Sequence, residues 1–405
     1  MGKRSGISWG DAAGGALTVA ACVLLLWDPE NAIKGGLQGL KIFGEAVLPS
    51  LLPFFVVAEI LIGLGLVHYV GALVEPLMRP VFNVPGVGSF VWSMGLAAGY
   101  PMDAVITARL RRTGDCTRIE GERLLAFTNT ADPLFILGAV AVGMLGMPTL
   151  GVYLAAAHYL SAISVGIVFR YYGGNDPERA QLAHKRRESG KTDGYWANAK
   201  NEMEKARKQD GRPFGRLLAE SMQNSTLTLL KIGGFIMFFA AVIELMNSTD
   251  LMRLIGLPLD WLLRLIGWER SLTAGTMAGI LELDVGSAML ATAPAPLLQR
   301  LTLISAVIGW SGLSVHGQVA SIVSTTDLRL GSYVKARLLH ALLAALYVLG
   351  LCTLRPPAIG TATGALGTFV FMPFFRAALA GGFMGLTIVG GYLCHRKRAI
   401  AVKRR

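Results

Sequence analysis

Glu282-Leu283-Asp284-Val285-Gly286-Ser287 lies in the middle of an apolar stretch that runs from Leu272 to Leu298. A bilayer-crossing helix with its sides in lipid does not carry two carboxylates beside a glycine at its centre. Charge and broken backbone at that depth are tolerated only inside protein or along a cavity. Gly275, Gly279, Pro294 and Pro296 interrupt the same stretch. Gly86 to Leu110 has the same character, with Gly86, Gly88, Gly95 and Gly99 followed by Pro101 and Asp103. Both are read as re-entrant helical hairpins that enter and leave on one side, with two further kinked spans as the alternative.

The rest of the chain sets these hairpins in a membrane. Of 405 residues, 53% are hydrophobic and 16% charged, with a mean hydropathy of +0.51. That composition excludes a disordered chain, a coiled coil and a disulfide-stapled secreted domain, and it predicts an all-α polytopic membrane protein. A bilayer core needs about 20 apolar residues of helix. Eight stretches qualify: Ala12–Trp27, Ala46–Val67, Leu124–Leu145, Leu150–Phe169, Leu227–Met246, Leu301–Val323, Leu338–Leu354 and Ala377–Leu393. The first follows Lys3 and Arg4 and is read as a retained span, a cleaved signal peptide being the alternative. Cys22, Cys116, Cys352 and Cys394 are far apart, with no CxxC or Cys/His spacing, so no metal site and no cofactor are expected.

Basic residues fix the orientation. The net charge of +12 is concentrated between apolar stretches, which argues for topogenic signals and against nucleic-acid binding. With the N-terminus inside, eight spans and two hairpins bring Arg109, Arg111, Arg112, Arg118, Arg329, Lys335, Arg337 and the Arg396–Arg405 tail to the inside. The polar segment Tyr171–Arg216, with 11 Lys/Arg against 7 Asp/Glu, also falls there and is read as a solvated cytoplasmic linker. Counting both hairpins as full spans would move that basic segment outside.

The linker divides two halves of similar layout: a span, an amphipathic segment (Tyr69–Phe82, Leu251–Trp268), a hairpin, then a span with a polar run. The first copy begins outside and the second inside, which is an inverted-topology repeat. The expected organisation is an N-terminal span over 1–30, a first repeat over 31–170, a linker over 171–216, a second repeat over 217–330, and C-terminal spans with a basic tail over 331–405. Transporters built this way hold solute where helices are broken. The candidate substrate residues are therefore Gly99, Tyr100, Pro101 and Asp103; Thr128, Asn129, Thr130 and Asp132; Glu282, Asp284 and Ser287; and Ser311, Ser314, His316 and Gln318. Isolated Thr or Ser residues have an alternative in hydrogen bonds to their own helix. Glu45, Glu59 and Glu244 are proton carriers or structural hydrogen bonders, His158 is a helix-packing residue, and Arg79 and Arg253 suit lipid headgroups.

Leu51-Leu52-Pro53-Phe54-Phe55, the run Glu75 to Gly86, Gly99-Tyr100-Pro101 and Phe127-Thr128-Asn129 strongly resemble the YlbJ-type sporulation integral membrane proteins of the nucleoside-recognition (Gate) superfamily. The resemblance covers about Ile33 to Val348. It implies a stage V sporulation dipicolinic acid transporter of the outer forespore membrane, made in the mother cell. The hairpins also resemble those of concentrative nucleoside transporters, whose hairpin tips and broken helices hold substrate. By that likeness Gly99–Asp103 and Glu282–Ser287 match the tips, and Thr128–Asp132 and Ser311–Gln318 the broken helices. The Gln-Thr-Glu tip of those transporters is replaced here by Tyr100-Pro101-Met102-Asp103, so the likeness does not carry a nucleoside as substrate.

The expectation is thus a secondary carrier of a small anionic or aromatic solute, with the lipid bilayer as its other partner and a homo-oligomer allowed. Nucleoside or other small-solute transport, and a non-transporting role in spore-envelope assembly, are the alternatives. No HExxH, GxSxG or Walker A motif is present, so no enzymatic activity is expected.

Overall fold

A computed structural model describes residues 22–174 and 195–357, with residues 15, 19, 176 and 178. Among them every regular element is a helix. The expected spans Ala12–Trp27, for the most part, and Ala377–Leu393 lie outside the described residues.

Helix α1 (Pro29–Ile42) passes through a π-helical stretch, Phe43–Val47, into α2 (Leu48–Gly63). The two arms form one path bent by 56°. Hydropathy predicts a span from Ala46 to Val67. The helix instead begins at Pro29, capped by Asp28, and stops at Gly63, where Gly65 turns left-handed at φ 80°. Two glycines of α1 are contact residues. Gly35 and Gly39 lie so close to Ala240 and its neighbours that a side chain would collide.

Their partner is α9 (Phe214–Ser248), about 50 Å long at 1.5 Å per residue. Asp28 receives a hydrogen bond from Ser248 at one end, Lys34 pairs with Glu244 at 2.5 Å, and Gly63 meets Leu217 at the other. The opening helices of the two halves therefore run antiparallel along their length.

After each opening helix the same parts follow in order. The first half has α3 (Leu66–Leu77), which continues as a π-helical turn to Phe82. Then come the hairpin arms α4 (Gly88–Ala98) and α5 (Met102–Thr113), and α6 (Arg118–Thr128). A non-helical break leads from α6 to the π-helical stretch Phe135–Met144, and α7 (Leu150–Phe169) closes the half. The second has α10 (Leu251–Leu265), arms α11 (Leu272–Leu281) and α12 (Leu283–Thr292), the broken helix α13 (Leu297–Trp310) and α14 (Gly312–Val323), and α15 (Leu330–Leu354). Hairpin arms of 10 to 12 residues reach about 15–18 Å, half a bilayer core of about 30 Å. They are too short to cross, as re-entrant hairpins must be.

Four described helices are long and apolar enough to span, or five with the bent pair: α7, α9, the α13–α14 path and α15, plus α1–α2. The Leu124–Leu145 path is cut by its break into short arms. Lipid-facing stripes are plain on the long helices. Leu338, Leu342 and Leu346 of α15 recur at i, i+4, i+8 and are all exposed.

The linker differs from a solvated strand of polar residues. Tyr195–Asp210 forms α8, which docks on α3 by burying Ala199 against Ala72 and Leu73. Arg79, expected at headgroups, pairs with Glu120 at 2.5 Å. Glu120 in turn completes a capping box with Thr117 at the start of α6.

Candidate functional site

Both hairpins end where a helix breaks. At the first tip Gly99 turns at φ 63° and the Tyr100–Pro101 peptide is cis. A side chain on Gly99 would meet Asp132 Oδ2 at 2.8 Å, and one on Gly95 would meet the Thr128 carbonyl at 2.5 Å. Only glycine lets this hairpin lie on the α6 break. At the second tip Glu282 adopts an extended conformation between α11 and α12. It faces Gly312, whose φ is 74° and which follows the left-handed Ser311. The α11 and α12 arms touch backbone to backbone, since a side chain on Gly286 would fall on Gly279.

A broken helix strands carbonyls, and buried carbonyls need donors. The donors here come from side chains. At the α13 break, Tyr100 Oη donates to Ile308 O at 3.0 Å, Arg337 Nη1 to Gly309 O at 3.4 Å, and Ser311 Oγ to Trp310 O at 2.5 Å. At the α6 break, Arg337 Nη2 donates to Ala126 O at 3.0 Å and Nη1 to Asn129 O at 2.6 Å. Tyr159 donates to Ala131 O, and His158 Nε2 accepts from the Ala131 N–H, each at 3.0 Å. Tyr100 thus joins the first hairpin to the second broken helix, and Arg337 joins the two breaks.

Asn129 is the hub and is fully enclosed. Its Nδ2 donates to Asp103 Oδ1 at 2.8 Å, and its Oδ1 accepts from Tyr333 at 2.9 Å. Thr128 donates to Asp103 Oδ2 at 3.3 Å and to its own helix at Leu124 O, while Thr130 donates to Thr128 O at 3.4 Å. His316 packs on Trp310 with ring centroids 4.1 Å apart and edge-on to Tyr333 at 5.1 Å. Its Nδ1 donates to Gly312 O at 2.8 Å, because a carbonyl only accepts, and its Nε2 is buried without a partner. Ser287 Oγ and Asp284 Oδ1 are also buried and unpartnered. Ser314 is buried, and Gln318 sits a turn further along α14, half-buried.

The carboxylates fall into two kinds. Glu282 accepts from the Val285 N–H at 2.8 Å, and Asp132 from the N–H groups of Leu134 and Phe135, both at 2.9 Å. They occupy helix N-termini that the sequence, read alone, leaves open for substrate carboxylates. Asp103 is bound instead to side chains of the break. The α14 N-terminus has no side-chain cap.

Two residues of the site escape a reading of the sequence. Tyr333 carries no signal of its own there, and Arg337 falls among the cytoplasmic basic residues, whereas it is fully buried two turns into α15. A tyrosine and an arginine four apart, after Arg329, look like a headgroup-facing start to a span.

Comparison with known proteins bears on both fold and family. A family model described as nucleoside recognition (Gate) matches residues 46–160, from the first bent helix through the α6 break into α7. The chain has the fold of CNTnw. It aligns with the inward-facing, substrate-bound structure at a TM-score of 0.53, covering 85% of this chain and 86% of that one at 15% identity. With a doubly substituted CNTnw in an outward-facing state the TM-score is 0.51, at the same coverage and identity. Among curated proteins, the sporulation integral membrane protein YlbJ of Bacillus subtilis (strain 168) is 40% identical over 321 residues, which are 79% of this chain and 78% of that protein. With identity of that extent, the chain belongs to the YlbJ family of sporulation integral membrane proteins.

Proposed function

We propose that this protein is a secondary transporter that carries a small anionic aromatic solute, dipicolinate, across the outer forespore membrane toward the forespore. The observation that carries the reading is the meeting of two hairpin tips and two helix breaks, one of each from either half, around Asn129 and Tyr100. Inverted-repeat carriers bind solute at such a crossing, and buried polar groups without partners there are groups that a solute satisfies. Ser287 Oγ is of that kind and can donate to a solute carboxylate, whereas His316 Nε2, with the ring proton on Nδ1, and an ionised Asp284 Oδ1 only accept and call for a proton carried with the solute. The fold shared with CNTnw and membership of a sporulation family support the same reading. It makes the chain a carrier with no covalent chemistry, whose partners are its solute and the bilayer.

Uptake into proteoliposomes, comparing dipicolinate, nucleosides and simple dicarboxylates, tests it. Saturable dipicolinate uptake is expected. Uptake of nucleosides alone would replace the substrate, and transport of none of them, with normal spore-envelope assembly in variants lacking Asn129 and Asp103, would favour an assembly role.

A further inference from the structure

Two arginines of the described residues are enclosed, Arg123 and Arg337. Arg123 lies away from the crossing and donates to Asn83, Tyr172 and Gly173 carbonyls. Arg337 sits in the crossing itself and has the geometry of a pin. Nη1 and Nη2 reach the Asn129 and Ala126 carbonyls of the first half and the Gly309 carbonyl of the second, while Nε is buried without a partner. The guanidinium carbon stands 5.8 Å from the centroid of the Tyr333 ring, and Tyr333 in turn holds Asn129.

Three neutral carbonyls do not require a full charge. An ionised group at this depth is expensive, and a neutral donor would hold them at lower cost. The charge is therefore the part of Arg337 that wants a partner. The two helix C-termini it touches offer partial negative charge. No carboxylate touches the guanidinium: Asp132 and Glu282 sit on helix N-termini and Asp284 lies in the first turn of α12, while Asp103, held by Asn129 and Thr128, is within its electrostatic reach but not in contact, so the solute adds to a charge that Asp103 answers only at a distance. In a low-dielectric crossing a guanidinium is felt beyond contact distance.

We propose that Arg337, besides pinning the two breaks together, is the residue that gives the site its preference for negatively charged solutes. This rests on the transport reading above. The residue is specificity-determining: it biases which solute is held at Asn129 by charge, and Nε supplies a donor when the crossing opens.

The test uses the full chain in proteoliposomes and three probes of one shape: dipicolinate with two carboxylates, picolinate with one, and pyridine-2,6-dicarboxamide with none. In the wild type, competition against labelled dipicolinate is expected to follow that order. Arg337→Gln keeps a donor and removes the charge, so the preference for dipicolinate over the diamide falls about tenfold or more, the scale of one charge-assisted hydrogen bond. Arg337→Lys keeps the charge without the fork, so uptake slows while the preference stays. An unchanged preference in Arg337→Gln overturns the inference and leaves the transport reading intact. If Arg337→Gln does not reach the membrane, Arg337→Lys decides together with the wild type: a preference kept in Arg337→Lys supports the inference, and a preference lost there with the charge in place, or equal inhibition of the wild type by dianion and diamide, overturns it. Wild-type protein that takes up none of the probes refutes the transport reading, and the inference with it.

Discussion

Replacing Asn129 by alanine removes a side chain that two others depend on. Asp103 loses the 2.8 Å bond from Nδ2, a bond to an ionisable acceptor, and Tyr333 loses its acceptor at 2.9 Å. The first kind is worth about 1.5–3 kcal/mol and the second about 0.5–1.5 kcal/mol, so Asn129→Ala should destabilise the fold by about 2–4 kcal/mol. The Arg337 bond to the Asn129 carbonyl is retained, because it is made by backbone. Tyr333→Phe leaves the bond to Asp103 in place and removes the second bond, together with the hydroxyl's contact with Ser311. Unfolding of detergent-solubilised wild type, both single variants and the double variant gives a double-mutant cycle. The two substitutions share a bond, so their effects should fall short of additive by about 1 kcal/mol. Additivity to within about 0.3–0.5 kcal/mol would mean that Asn129 and Tyr333 are not joined in the folded protein, and the hub would have to be redrawn. Uptake by Asn129→Ala should be lost when variants are compared at equal amounts of folded protein in the membrane.

Gly286→Ala should abolish folded protein, read by size-exclusion of a fluorescent fusion, because its methyl would fall on the backbone of Gly279; a normal elution profile would contradict that packing. Beside the start of α15, Arg111 grips Asp327 through two bonds of 2.7 Å and Glu178 through a third of 2.7 Å, and holds the Asp327 carboxyl below its usual range. A carboxyl lowered on folding stabilises above its unfolded value of about 3.9 and ceases to do so as pH falls through the lower folded value. The stability gap between wild type and Arg111→Ala should therefore be flat from about pH 8 to 5 and close below about pH 4. Its size should be no more than about 1 kcal/mol, since the partners are half exposed. Single cysteines at Trp196 and Asp250 in a Cys-free background should label from opposite sides of the membrane, the former from the cytoplasm; labelling from one side would refute the topology.

The hairpins are legible in the sequence because their signal is local. Two carboxylates and a glycine inside an apolar run have few physical solutions, and Gly99 and Glu282 do mark the tips. The polar runs give away the breaks for the same reason. Arg337 is not legible, because depth in a membrane is a property of the neighbours and not of the residue. The α1 helix is hidden because Gly35 and Gly39 weaken helix propensity, and their gain, close approach to α9, appears only in tertiary contact. Glu282 and Asp132 stand out in the sequence as candidates for the site; that each also accepts from N–H groups at a helix start is a matter of backbone direction, which composition does not report. The docking of α8 is not visible in the sequence either, since the buried contact turns on one alanine, Ala199.

That docking has a consequence for the working cycle. Were the two halves identical, exchanging their conformations would turn an outward-open carrier into an inward-open one of equal energy, and the resting state would be an even mixture. Here the exchange is not between equals. Helix α3 of the first half lies under α8, whereas the corresponding α10 leaves Leu254, Trp261 and Leu265 uncovered among the described residues. A contact that one half makes and its counterpart lacks shifts the balance where the two conformations keep it unequally, and a difference of about 1.4 kcal/mol then sets a tenfold ratio between them. A segment joining the halves is thereby placed to act as ballast: where its docking on α3 is loosened in one conformation, the empty protein rests in the other before any solute has bound.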